Sequence, residues 1–335
     1  MEKTVLITAI LLNNPAAHLV HDLPYKKMDW QSSPRITIEA KNLQIGSSEL
    51  EVEVRDSGDK QVYSFKDSFE SKDGTHAIEK ILAAPLKDPA YFLVKLKSGE
   101  EEITNKLQIE LARLYGTVTD FDGKPVQGAW ITVLDDRMQI AVSDNKGGYE
   151  LFLPKGNYNC LAAANDEYPF KKLENYIWNL PLNQDYQYDF KLGSAEVFRL
   201  MASAMPQNNT ISGSFVSWTS SLMRKWAATK SGPKYEMGDE LMDNKYAPVL
   251  NTDNTSFYLD GIKIENVPLF EKANILFPRN KIAKDLGYRF EFFVPKNLPA
   301  KQYHVLEVRV EYPVQPEGGV IVEKGRATLH NLEIY

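Results

Sequence analysis

The fold is decided by residues 113 to 164. They run Arg113-Leu-Tyr-Gly116-Thr-Val-Thr-Asp120-Phe-Asp-Gly123-Lys-Pro125-Val-Gln-Gly128-Ala129-Trp-Ile-Thr-Val133, then Ala141-Val-Ser-Asp144-Asn-Lys-Gly147-Gly148-Tyr149-Glu-Leu-Phe-Leu-Pro154-Lys-Gly156-Asn-Tyr158-Asn-Cys-Leu-Ala-Ala-Ala164. Short runs rich in Val, Ile, Thr, Tyr and Trp alternate apolar with polar residues, the period of half-buried strands. Turn residues bound every run. Asp122-Gly123 supplies a positive-φ turn, and Pro125 cannot occupy a central strand. Asn145-Lys-Gly147-Gly148 reads as a hairpin tip between Ala141-Val142 and Tyr149–Phe152, and Pro154-Lys-Gly156 turns the chain again.

These positions resemble a known family. Gly116, Asp120, Gly123, Pro125, Gly128, Ala129, Asp144, Gly147, Gly148, Tyr149, Leu153, Pro154, Gly156 and Tyr158 are similar to the pattern of the carboxypeptidase-regulatory-like domain. The resemblance implies a transthyretin-like, seven-stranded sandwich over residues 112–193. The residues that carry it are turn and packing positions, so they imply shape rather than chemistry.

Working outward, the 335-residue chain has room for two or three domains. Residues 1–111 contain alternating runs such as Arg35–Ala40 and Leu50–Arg55, and read as an immunoglobulin-like sandwich. Thr75–Leu82 reads as one short helical turn. Residues 194–335 read as a further sandwich, immunoglobulin-like or jelly-roll-like. It contains an Asp260-Gly261 hairpin turn, modest helical character over Ser220–Thr229, and a long loop at 230–255. The expected fold class is all-β, three consecutive sandwiches.

Composition narrows the function classes. The formal net charge of −6 and the absence of a Lys/Arg cluster argue against nucleic acid. No apolar run approaches the ~20 residues of a membrane span, so no membrane insertion is expected. The opening Thr4–Leu12 run reads as a strand and not as a signal peptide. Synthesis in the cytoplasm is the expectation, with cell surface or virion as final locations. With one cysteine, no intrachain disulfide can form. Cys160 alternates with Tyr158 and Ala162 and reads as a buried thiol.

No catalytic constellation stands out, and no cofactor or metal is expected. His330-Asn-Leu-Glu333 has a metal-like spacing, but strict strand alternation would point its two ends to opposite faces. His18 and His21 lack a nearby third ligand. Asp120, Asp122, Asp135, Asp136 and Asp144 suit turn chemistry, with a calcium site as the alternative. No isopeptide crosslink is expected, because Arg113–Thr119 contains no Lys. Aromatics are the best lead. Tyr168, Phe170, Tyr176 and Trp178 lie in or beside one connection, and Trp218, Trp226 and Tyr235 flank the long loop. Tyr176, Trp178, Trp218 and Trp226 are the candidate ligand-binding residues, since flat rings stack on sugars and anchor protein interfaces. The expected activity is non-catalytic: a structural or adhesion protein that binds protein or carbohydrate. A subunit of a cytoplasmically assembled particle, such as a virion decoration or tail component, or another homo-oligomer, is the alternative. A glycan-active hydrolase is the third reading.

Overall fold

The computed structural model describes residues 6–12, 16–18, 29–31, 35–41, 43, 45–81, 89–133, 140–168, 170–228, 247–276, 284–315 and 319–334. Expectations that fall on Pro169, Tyr235, His21, Asp135, Asp136 and most of the 230–255 loop lie outside the described residues. The fold is all-β, with several sheets packed together.

The first part of the chain supplies β1 (Leu6–Leu12), β2 (Ala16–His18), β3 (Asp29–Gln31), β4 (Arg35–Lys41), β5 (Gly46–Asp56), β6 (Gln61–Ser71), β7 (Thr75–Ile81), β8 (Pro89–Ser98) and β9 (Glu101–Gln108). Two sheets, β1-β4-β7 and β6-β5-β8-β9, enclose a core. Alternation places it: Ile36, Ile38 and Ala40 from one sheet meet Leu50, Val52, Val54, Phe92, Val94 and Leu96 from the other. The helical turn expected at Thr75–Leu82 is instead strand β7, paired residue for residue with β4. Its Ala, Glu and Lys favour helix locally, but pairing and burial of the opposing strand outweigh that weak preference.

The middle stretch supplies β10 (Leu111–Asp120), β11 (Trp130–Val133), β12 (Ile140–Val142), β13 (Gly148–Pro154), β14 (Gly156–Ala164), β15 (Asn175–Leu182), β16 (Tyr186–Gln187) and β17 (Phe190–Leu192). β16 and β17 pair one after the other along β10, so they act as one interrupted strand. The interruption faces Gly116, where a Cβ would sit 2.0 Å from the Tyr188 carbonyl oxygen. Only glycine permits that approach. The expected hairpin at Asn145–Gly148 is a turn between layers: β12 pairs with β11, while β13 pairs with β10 in another sheet.

The last part supplies β18 (Ala195–Met205), β19 (Thr210–Thr219), α1 (Ser220–Ala227), β20 (Thr255–Leu259), β21 (Ile262–Ile264), β22 (Leu269–Leu276), β23 (Lys284–Phe293), β24 (Tyr303–Val314) and β25 (Ile321–Glu333). β20 and β21 close around Asp260-Gly261, both at positive φ, as the Asp-Gly pair implies.

Strand pairing does not stop at residue 193. One eight-stranded sheet runs β12-β11-β14-β15-β25-β24-β20-β21, and its centre is the parallel pair of β15 with β25. The two faces of this sheet serve different cores. Leu161, Ala163 and Ile177 face the sheet of β10 and β13. Cys160, Ala162, Tyr176, Ala327 and Leu329 face the sheet β18-β19-β23-β22. The result is three stacked β-layers, and the central strands are covered on both sides. That explains the unbroken buried run Cys160–Ala164, which has no polar alternation.

Candidate functional site

The shared sheet opens at one place. β15 and β25 pair through Tyr176–Ala327, Ile177–Thr328 and Trp178–Leu329, and the pairing then ends. Just beyond it each strand carries an asparagine in the left-handed region, Asn179 at φ 53° and Asn331 at φ 57°. On the neighbouring layer, β18 carries Arg199 at φ 52°, where its register against β19 slips between Phe198 and Met201. Asparagine tolerates this conformation, whereas for arginine it is unfavourable. Such outliers concentrate where a fold is shaped for a purpose. A cleft of ≈ 230 Å³ lies between the parted strands, lined by Asn179, Ala202, Ser203, Ala204 and residues 329–333.

The bulge at Asn331 overturns one expectation. Leu329 and Leu332 both reach the same core although they stand three apart, so an extra residue is absorbed between them. His330 and Glu333 therefore line one cleft instead of pointing apart. Among the described residues, no group of three His, Cys, Asp or Glu side chains could hold a metal.

His330 is only 4% exposed. Its Nε2 lies 3.3 Å from Thr328 Oγ1, which lies 3.1 Å from the Tyr188 hydroxyl. The rings of Tyr186 and Tyr188 meet it edge-on at 5.7 and 6.2 Å. Burial, with a smaller contribution from the Lys301 charge, lowers its pKa from 6.5 to about 4, so the ring is neutral at pH 7. Nearby, His304 has both ring nitrogens engaged: Nδ1 is 2.6 Å from Asp260 Oδ2 and Nε2 is 2.9 Å from the Lys301 carbonyl oxygen. Asp260 also accepts from the Val305 N–H at 2.9 Å and pairs with Lys301 Nζ at 3.0 Å. These groups brace the hairpin base beside the cleft.

Three of the four candidate aromatics come together. Trp178 stacks on Tyr176 at 5.5 Å, Tyr176 tilts against Phe198 at 6.4 Å, and Phe198 meets Trp218 edge-on at 4.7 Å. Trp226 lies apart from this run, on α1. The expectation that all four face a ligand is corrected for Tyr176 and Trp226, which are 8% and 5% exposed. The double covering of the central sheet encloses Tyr176, whose hydroxyl donates to Glu174. Burial and that neighbouring carboxylate push the phenol well above its usual pKa. Trp178 and Trp218 remain half-buried. Trp178 adjoins the cleft, since Asn179 follows it and Leu329 pairs with it, and its indole N–H is enclosed without a hydrogen-bond partner.

The turn aspartates are bound to their own backbone. Asp120 Oδ1 accepts from the N–H groups of Asp122 and Lys124, and Asp144 Oδ1 accepts from Lys146 and Gly148. Asp56 repeats the pattern with Gly58 and Lys60. This is Asx-turn chemistry, as the sequence suggests. Cys160 is buried, as expected. The cleft itself was missed. Its only trace in the sequence is an asparagine splitting each apolar run, in Trp178-Asn-Leu180 and His330-Asn-Leu332.

No family model and no curated protein matches the chain. Among solved structures, the chain is similar to the crystal structure of a group B streptococcus pilus 2b backbone protein, at 8% identity and a TM-score of 0.24, over 56% of this chain and 96% of that one. A likeness at that level carries no weight for function. Among the described residues, no helix is long and apolar enough to cross a membrane.

Proposed function

We propose that this chain is a non-catalytic structural or adhesion protein that binds protein or carbohydrate, with the middle stretch 112–193 a carboxypeptidase-regulatory-like unit between a first unit, 1–111, and a last, 194–335. One observation carries the reading: the cleft between β15, β25 and β18. It is ringed by left-handed residues, bears the amides of Asn179 and Asn331 with the Ser203 hydroxyl, and stands beside the half-buried Trp178. Amides and a hydroxyl next to an indole suit sugar hydroxyls or a peptide backbone. The titratable groups nearby are engaged in holding the fold, which supports a scaffold rather than a reactive centre.

The test is a glycan array and a protein-capture screen with the wild-type chain and the double variant Asn179→Gly, Asn331→Gly. Glycine keeps the left-handed backbone and removes both amides. Capture weakened at least about tenfold in the variant, the loss of one or two good hydrogen bonds, supports the cleft. Turnover of ester or glycoside substrates by the wild type would sink the non-catalytic reading. A second reading, a subunit of a larger assembly, is favoured by the uncharged free edge of β18.

A further inference from the structure

β18 ends its sheet and pairs only with β19. Its first part, Ala195–Phe198, is buried, and beyond the Arg199 irregularity its second part emerges with exposed and half-buried residues alternating. Met201, Ser203 and Met205 face outward, with the methionines 56% and 39% exposed, while Ala202 and Ala204 turn toward the cleft. Across this segment the backbone pairs with β19 on one side, and the other side meets no partner strand among the described residues.

A free edge is a template for another strand, and natural proteins guard edges with charge, proline or brevity. The edge strands β6, β9, β13 and β22 follow that rule, carrying Lys66 and Asp67, Glu101 and Lys106, Glu150, and Glu271 and Lys272 respectively. β1, another uncharged edge, lies beside β9 and β13. The segment Met201–Met205 has none of these guards. Its sequence is Met-Ala-Ser-Ala-Met, which reads the same in both directions.

That palindrome selects the occupant. We propose that two copies of this chain associate edge to edge through Met201–Met205, antiparallel, about a two-fold axis at Ser203. In that register Met201 of one protomer stands opposite Met205 of its partner, Ala202 opposite Ala204, and Ser203 opposite itself. Every cross-strand pair then joins side chains of equal size and no charge, the self-complementarity an isologous interface requires. The outward methionines cover one another, and the alanines leave room over the cleft for the added strand. The two four-stranded outer sheets become one continuous sheet across the axis. The paired segment is short, so the association belongs with weak, concentration-dependent interfaces. The inference rests on the structural reading above but not on any sugar or protein bound in the cleft.

Sedimentation velocity over a concentration series, with Ser203→Lys alongside the wild type, tests it. Ser203 is exposed, so the lysine leaves the fold intact, as circular dichroism will verify, and it places two like charges opposite each other at the axis. The expected result is a concentration-dependent dimer for the wild type and a monomer for the variant. Mild oxidation of Ser203→Cys gives a disulfide-linked dimer, whereas Val249→Cys, exposed but off the edge, does not; the native Cys160 is buried and cannot crosslink. A wild-type chain that stays monomeric at every concentration overturns the proposal. So does a dimer that survives Ser203→Lys, or a Ser203→Cys chain that crosslinks no faster than Val249→Cys. A dimer together with an empty glycan array would leave the edge standing and remove the carbohydrate reading.

Discussion

The first 109 residues and the remainder solve the same problem differently. The first part is a two-layer sandwich whose core draws on its own strands alone, and its sheets end where it ends. The rest contains two cores on opposite faces of one sheet, so that β14, β15 and β25 belong to both. What separates the two cases is strand pairing across the sequence, not composition. Between β9 and β10 only Ile109 and Glu110 intervene, and the chain changes sheets there. At Gly193 and Ser194 it also changes sheets, but β25 later returns to pair with β15.

The sharpest way to break this comparison is to cut the chain at each place. A chain of residues 110–335 keeps both of its cores and is expected to melt cooperatively by circular dichroism. A chain ending at residue 193 loses β25 and uncovers the Tyr176 and Cys160 face of the central sheet. It is expected to show no cooperative transition, and a sharp one would refute the shared-sheet account. The next largest effect is expected at Gly325. A Cβ there would lie 2.3 Å from the Ala195 carbonyl oxygen, and one at Gly193 would lie 1.8 Å from that of Lys324. Two layers are pinned together at this crossing by paired glycines. Gly325→Ala is expected to cost about 3 kcal/mol, at the high end of overpacking, because backbone must move. Gly156→Ala, with open space around its Cβ position, is expected to stay within about 0.5 kcal/mol in urea titrations.

The same contrast shows what could be read from the sequence. Local devices were legible, because turn chemistry and alternation are carried by neighbouring residues. The Asx turns at Asp120 and Asp144, the Asp260-Gly261 hairpin and the buried faces of Ile36–Ala40 and Leu50–Val54 all follow from such patterns. The parallel pairing of β15 with β25 was not legible, since no local pattern fixes the partner of a strand so distant in sequence. A trace existed in the apolar run Leu161–Ala164, which marks a strand covered on both faces. The cleft was hidden for a related reason: period-two reasoning assumes unbroken strands, and the bulges at Asn179 and Asn331 reverse the facing of everything after them.

Carboxylates sharpen the comparison at smaller scale. Glu51 in the first part pairs with Lys66 at 3.2 Å on the surface. Glu323 is buried and accepts from Ser220 Oγ at 2.7 Å, Ser221 Oγ at 2.6 Å and the Ser221 N–H at 3.0 Å. It thereby gives α1 the anionic partner that its own first turn lacks. Glu323→Ala orphans a buried hydroxyl and is expected to cost about 2 kcal/mol, and Glu51→Ala under about 1 kcal/mol. Equal losses in urea titrations would show that α1 is not held through β25.

The smallest effect concerns pH and isolates the junction between the two fused cores. The folded chain holds His330 neutral down to about pH 4, by burial first and the Lys301 charge second, whereas the unfolded chain titrates it near 6.5. The folded-state pKa is depressed, so the unfolded state binds the extra proton between those values. Stability from this group is therefore present above pH 6.5 and falls as the pH drops toward 4, with no further loss below. Between pH 7 and pH 5 the loss is about 2 kcal/mol, from 1.36 kcal/mol per pK unit once the fractional protonation at pH 7 is allowed for. His330→Phe keeps an aromatic ring against Tyr186 and Tyr188 and removes the titration. The difference in unfolding free energy between wild type and variant, measured at pH 7 and again at pH 5, should shift by that amount in the variant's favour. An unchanged difference would mean that water or an anion reaches His330 through the cleft and that the junction is not sealed.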